Sequence, residues 1–197
     1  MKKYVMTLLL LVGVTISAWA IPQPQVQIEN MINSVLDVLR QEELPVAEKK
    51  AQVSGKVQEF LNVASMSQRT LGSYWQGASV EQRQRFSDLF VKVLEGTYLN
   101  RIGEYSDGEV KYLKQRVKGN KAIIDTEIVS GDLTVPVQYK MIYENDSWQV
   151  IDVVIEGISL IRNYRANYGE IIRKDGYEGL FALMEQKVID MGTPTGQ

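Results

Sequence analysis

The sequence has no cysteine and no histidine. Their absence excludes disulfides, thiol nucleophiles, Ser-His-Asp triads and any metal site built on imidazole or thiolate. An excess of positive charge is missing too: 22 basic residues stand against 24 acidic ones, which is no footprint for nucleic acid. No Gly-x-x-x-x-Gly-Lys-Ser/Thr loop is present to cradle phosphates. Apart from one N-terminal run, no stretch is apolar long enough to span a bilayer. Carboxylate or Ser-Lys chemistry is what remains available to an enzyme. With only five prolines, each becomes informative about local structure.

The exceptional run comes first. Lys2 and Lys3 precede an apolar stretch from Tyr4 to Ser17, and Ala18-Trp19-Ala20 follows as a small-x-small signal. Residues 1–20 are therefore expected to be a secretory signal peptide. No cysteine follows the stretch, so lipoprotein processing is excluded. The mature chain is expected to begin near Ile21. Losing the two lysines would leave it with a net charge of −4. The 177 residues 21–197 suit a single domain with a sizeable core, ending in a polar tail, expected to be disordered, from about Met191.

Within that domain the hydrophobic period changes twice. Three- and four-residue spacing of Val26, Met31, Ile32, Val35, Leu36 and Leu39 predicts a helix over 26–40. Pro45 opens a second helix running to about Leu61, and a short third one follows from about Ala64 to Leu71. Ser79 with Gln82 is a capping-box pattern. It opens a helix to about Ile102 whose broad apolar face carries Phe86, Leu89, Phe90, Val93, Leu94 and Tyr98, with Glu95 among the polar residues opposite. Alternation then predicts strands at Glu109–Val117, Ala122–Val129, Leu133–Tyr143 and Trp148–Glu156, joined by turns at Gly119-Asn120, Gly131-Asp132 and Asn145-Asp146-Ser147. Pro136 places the third strand at an edge or a bulge. Strict alternation puts Val150 and Val154 on one face of the fourth strand and Ile151, Val153 and Ile155 on the other. Helices return over Ser159–Lys174 and Tyr177 to about Val188, broken at Asp175-Gly176. The expected fold is α+β: a curved antiparallel sheet of about four strands backed by helices, with an apolar cavity between them.

Three segments carry a family resemblance. The first runs from Leu71-Gly72-Ser73-Tyr74-Trp75 through Ala78-Ser79-Val80-Glu81-Gln82-Arg83 to Phe86, Phe90, Leu94 and Thr97-Tyr98. The second, and most specific, is Asp152-Val153-Val154-Ile155-Glu156-Gly157-Ile158-Ser159-Leu160-Ile161-Arg162-Asn163-Tyr164-Arg165. The third is Ile171-Ile172-Arg173-Lys174-Asp175-Gly176-Tyr177-Glu178-Gly179-Leu180. Together they resemble the MlaC, or toluene-tolerance, family over essentially the whole mature chain, with a weaker match before Leu71. The resemblance implies a non-enzymatic periplasmic carrier that holds a phospholipid by its tails. Its partners would be an outer-membrane lipoprotein complex and an inner-membrane ABC transporter with an MCE-domain subunit. No cofactor beyond the lipid cargo and no metal is implied, and a monomer is expected. The family also includes members tied to hopanoid or other lipids, so the cargo stays open.

The pocket positions implied are Val135, Val137, Tyr139 and Met141 on the third strand and Ile158 after the fourth. Phe86, Phe90, Val93, Leu94, Tyr98 and Val154 are expected to add to the lining. Met141 and Met184 supply adaptable side chains. Arg162, Arg165 and Arg173 are candidates for a basic rim facing lipid phosphate or an acidic partner. Tyr74 and Trp75 are candidates for a lid or for core packing. No dense polar cluster lies near the apolar strand face, so headgroup selectivity is expected to be weak. Two other readings compete. An enzyme on a cone-shaped scaffold would need a carboxylate base in the pocket, for which Asp152 is the candidate, with Glu156 on the same face. A structural adaptor would have a solid core.

Overall fold

The computed structural model describes residues 22–99 and 108–192. The expected signal peptide, the helix end at Ile102 and the tail beyond Gly192 lie outside the described residues. The elements run α1 (Pro24–Leu39), α2 (Val46–Gln58), α3 (Val63–Leu71), α4 (Tyr74–Gly77), α5 (Val80–Tyr98), then β1 (Glu109–Lys118), β2 (Lys121–Ser130), β3 (Leu133–Glu144), β4 (Ser147–Ile155), β5 (Ile158–Ser159) and α6 (Leu160–Gly192). The strands form one antiparallel sheet in the order β1-β2-β3-β4-β5. The fold is α+β, with helices packed on the inner face of a curved, open sheet.

Local chemistry sets the boundaries. At the start of α5, Ser79 accepts from the Gln82 backbone while the Gln82 side chain accepts from the Ser79 N–H, a complete capping box. Asn62 caps α3 by accepting from Ser65 N at 2.9 Å. The β3–β4 turn places Asn145 and Asp146 at φ of 50° and 60°, a conformation Asn and Asp tolerate better than other non-glycine residues. At Gly176 the backbone of α6 leaves the helix (φ 71°, ψ −174°), a region essentially reserved for glycine. Two helical halves therefore meet there, as the Asp175-Gly176 break predicts. The second half runs past Val188 to Gly192 because Met191 lies against Gly96 of α5 and its sulfur contacts Thr97 Oγ1 at 3.9 Å.

Pro136 sits in β3, which the strand order places between β2 and β4, so the expected edge position is overturned. Its carbonyl accepts from Glu156 N at 3.0 Å. That residue lies just past the end of β4, so the missing proline N–H faces no ladder partner.

Among the described residues, the buried apolar side chains form three clusters. Phe86, Phe90, Tyr164, Tyr168, Phe181 and Met184 anchor one between α3, α5 and α6. Phe86 and Phe90 stack at 5.5 Å, and Tyr168 meets Phe86 edge-on at 6.0 Å. Ile28 and Met31 of α1 cover Ile124, Tyr139, Met141 and Val150 of the sheet in the second. Val38, Leu39 and Val53 join α1 to α2 in the third.

Candidate functional site

A cavity of about 310 Å³ lies where the three clusters meet. The wall is built by α1 (Met31, Val35), α2 (Val57), α5 (Phe90, Leu94, Tyr98) and the inner sheet face (Val137, Tyr139, Val153, Ile155). Folded interiors rarely keep voids much larger than a water molecule. An enclosed dry void of this size would cost up to roughly 7 kcal/mol at ~24 cal/mol per Å³; this cavity opens to solvent along one edge, so that figure is a ceiling. Its apolar walls favour an apolar occupant. Burial, with a smaller contribution from Tyr164, raises the Tyr98 hydroxyl to about 12, and burial also pushes Tyr139 well up. Both phenols are therefore neutral in ordinary buffer.

The structure distributes the expected lining residues in a defined way. Phe90, Leu94, Tyr98, Val137 and Tyr139 face the cavity. Phe86 and Val93 turn instead into the helical cluster against α6, as does Met184. The broad face of α5 is thus two stripes, and Phe90 and Leu94 belong to both, forming the partition. Val135 and Met141 lie in the sheet cluster beneath α1 rather than on the cavity wall. Ile158 is 61% exposed on β5.

Val154 points away from the cavity, and the cause is a bulge. Lys140 pairs with Asp152 but Met141 pairs with Val150, leaving Ile151 as an extra residue in β4. The insertion reverses the alternation. Val150, Val153 and Ile155 consequently share the cavity side, a grouping that period-two reading divides between two faces.

The candidate basic rim does not form. Arg165 uses Nε and Nη2 to cap the Arg69 carbonyl in the last turn of α3, where a cation is favoured. Arg173 lies 4.0 Å from Glu170 on an exposed helix face. Arg162 is also exposed on α6, and none of the three reaches the cavity. Tyr74 and Trp75 pack against the helical cluster, with Arg83 donating to the Trp75 carbonyl at 2.9 Å and Tyr177 to that of Tyr74 at 2.5 Å.

Asp152 is a structural residue. It is buried on the opposite face of β4 from the cavity wall, and Lys140 Nζ and Ser159 Oγ each donate to its Oδ2 at 2.8 Å. The Ile161 N–H donates to Oδ1 at 3.2 Å. Ser159 in turn caps α6 by accepting from Arg162 N at 3.1 Å. Both carboxylate oxygens are thus committed to joining β4, β5 and α6. Glu156 is exposed in the turn after β4.

One polar group at the cavity was not expected. Ser54 and Gln58 of α2 meet Glu95 of α5 at its edge. The signal was faint, because each residue lies on the polar side of its own helix; only the packing of α2 beside α5 joins them. Among the described residues, no three acidic side chains group to hold a metal ion, and no helix is long and apolar enough to cross a membrane.

A model of the MlaC protein family matches residues 29–186. The chain belongs to the MlaC family. This MlaC-family chain is 26% identical over 133 residues to the intermembrane phospholipid transport system binding protein MlaC of Haemophilus influenzae, covering 64% of this chain and 62% of that one. It is 26% identical over 105 residues to toluene tolerance protein ttg2D of Pseudomonas putida, covering 52% and 49%. The matched stretch is thus less than two thirds of either relative's length. A phospholipid-binding protein from Ralstonia solanacearum, solved in complex with a phospholipid, shares the fold of this MlaC-family chain. The TM-score is 0.81, with 19% identity, over 87% of this chain and all of that one.

Proposed function

We propose that this MlaC-family protein is a soluble periplasmic carrier that holds a phospholipid by its acyl tails in the cavity. The observation that carries this reading is the 310 Å³ apolar space lined by α1, α2, α5 and the sheet. A two-tailed lipid has on the order of 30 methylenes, and at ~0.8 kcal/mol each their exposure costs roughly 20 kcal/mol or more. Crossing an aqueous compartment therefore requires that the tails be covered. The relatives' names, with phospholipid transport in one and a bound phospholipid in the structural neighbour, support the same class of cargo. Phe90, Leu94, Tyr98, Val137 and Tyr139 would contact the tails, joined by Val153 and Ile155.

Residues 1–20 act as the export signal in this proposal. The partners are an outer-membrane lipoprotein complex and the MCE-domain subunit of an inner-membrane ABC transporter, between which the carrier shuttles. It has no energy-coupling motif of its own, so any driving force belongs to a partner. Catalysis has no support from Asp152, whose oxygens are engaged. The test is mass spectrometry of an organic extract of the purified protein. About one glycerophospholipid per chain is expected. A hopanoid in its place would change the cargo, and no lipid at all would overturn the carrier reading.

A further inference from the structure

A two-tailed lipid cannot pass through a closed wall, so some element of the cavity wall has to move. The wall helices differ in how firmly they are held. Ile28 and Met31 of α1 are buried on the sheet, and the Trp148 indole donates to the Pro22 carbonyl just ahead of α1 at 2.6 Å. Phe86, Phe90 and Val93 bury α5 against α6. The hold on α2 is slighter. Of its residues, all of them described, Val53 alone is buried, while Glu48, Ala51, Gln52 and Gly55 stand exposed.

The two long edges of α2 differ in chemistry. Towards α1 the seam is apolar: Val53 and Val57 meet Val38 and Leu39, with Leu99 just past α5 packed on the same group. Lys49 adds a bond to the Leu39 carbonyl at 3.0 Å, and the half-buried Lys50 beside it is engaged as well. Towards α5 the seam is polar. Gln58 Nε2 donates to Glu95 Oε1 at 2.7 Å, and the Ser54 hydroxyl donates to the same oxygen. All three residues line the cavity, with Ser54 and Glu95 half-buried and Gln58 exposed. Parting an apolar seam exposes surface to water, whereas polar groups already at the solvent edge exchange one partner for water. The polar seam is the one that opens at lower cost. Beyond α2 the chain is stitched to the sheet, where Val150 N donates to the Phe60 carbonyl at 2.8 Å and Asn62 N to the Val150 carbonyl at 2.9 Å. Ahead of it, Gln41, Glu42 and Glu43 form an exposed connection from α1.

We propose that α2 is the cargo gate: it turns away from α5 about its seam with α1, and the Glu95 carboxylate, gripped by Ser54 and Gln58, is the latch that sets how often it opens. The proposal rests on the carrier reading and adds the route by which cargo enters and leaves. The latch acts on the opening and not on the lipid, so it governs uptake and release alike. Weakening a charged contact at a partly exposed site should quicken both about fivefold.

The experiment uses the absence of native cysteine. Ser54→Cys with Glu95→Cys supplies one thiol on each side of the seam, to be bridged by a short bis-methanethiosulfonate reagent. Uptake of a fluorescent phosphatidylethanolamine from vesicles by the delipidated protein is followed before bridging, after bridging and after reduction of the bridge. Uptake should slow roughly tenfold or more while the bridge is in place and recover on reduction. The same reagent bridging Lys56→Cys to Glu59→Cys, on the exposed last turn of α2, should leave uptake as it was. In the otherwise unaltered chain, Glu95→Gln should speed uptake and release together by about fivefold. A bridged seam that loads as fast as the open one would overturn the gate. A Glu95→Gln variant that alters release alone, or neither rate, would overturn the latch. Both results would leave the carrier reading standing, whereas no uptake by the parent protein from any vesicle would overturn that reading and the gate with it.

Discussion

Filling the cavity should strengthen the empty protein while disabling it as a carrier. Val137 is 5% exposed, lies on β3 opposite Ile155, and faces the cavity. Val137→Phe adds four carbons at that wall. If the space is a true void, each buried carbon gains up to ~0.8 kcal/mol. Allowing for the cavity's open edge, the variant should gain roughly 1–3 kcal/mol. For a chain of this size that raises Tm by roughly 2–4 °C per kcal/mol. The matched control is Val93→Phe, at a fully buried position in the helical cluster. There the ring has no vacancy, and overpacking should cost ~1–3 kcal/mol. Thermal unfolding of delipidated proteins reads the first effect, and extracted lipid per protein reads the second. Val137→Phe should be more stable than the parent and lipid-poor. A lower Tm, or undiminished lipid content, would refute the reasoning that this space is an unfilled cargo site.

Asp152→Ala should cost about 3 kcal/mol, since it strands the half-buried Lys140 ammonium and the buried Ser159 hydroxyl and Ile161 N–H. It should still co-purify with lipid at low temperature; loss of lipid from folded protein would contradict a purely structural role. Ser79→Ala removes a capping box and should cost about 1 kcal/mol in denaturant unfolding with unchanged m-value. Gly176→Ala places a Cβ at φ 71° and should destabilise by ~1–3 kcal/mol, measurable in the same way. Alkaline pH should be the chain's weak side. Tyr98, raised to about 12, and Tyr139 and Tyr168, raised further, all have folded values above an unfolded value near 10. Their contribution is therefore complete below about pH 10 and is lost as pH climbs through the folded values. With no histidine to titrate, unfolding free energy should stay flat between about pH 6 and 9 and fall beyond 10.

Elements built by local rules were legible in the sequence. The Ser79–Gln82 box, the Asp175-Gly176 break and the four long strands follow from capping, backbone freedom and alternation, each decided within a few residues. What depended on a neighbour was not legible. The bulge at Ile151 moves Val153 and Ile155 to the cavity side and Val154 off it, and only the register against β3 determines that. β5 is two residues long and exists because Ser159 meets Val154. Arg165 reads as a free cation until α3 ends beneath it. Ser54, Gln58 and Glu95 read as solvated polar positions until two helices bring them together. The cavity residues Phe90, Leu94 and Tyr98 were within reach because a face as wide as that of α5 needs more than one partner.

The division of the interior into three clusters gives the vacancy a further meaning. No single cluster owns it, so the strain of keeping it open is shared by the sheet, the α1–α2 hairpin and the α5–α6 pair. An occupant touching all of them acts as the missing centre of the molecule, tightening by mass action whatever it binds. In the carrier we propose, loaded and empty forms would then differ in rigidity before they differ in shape. A receptor able to sense that difference could tell a full carrier from a spent one without reading the lipid.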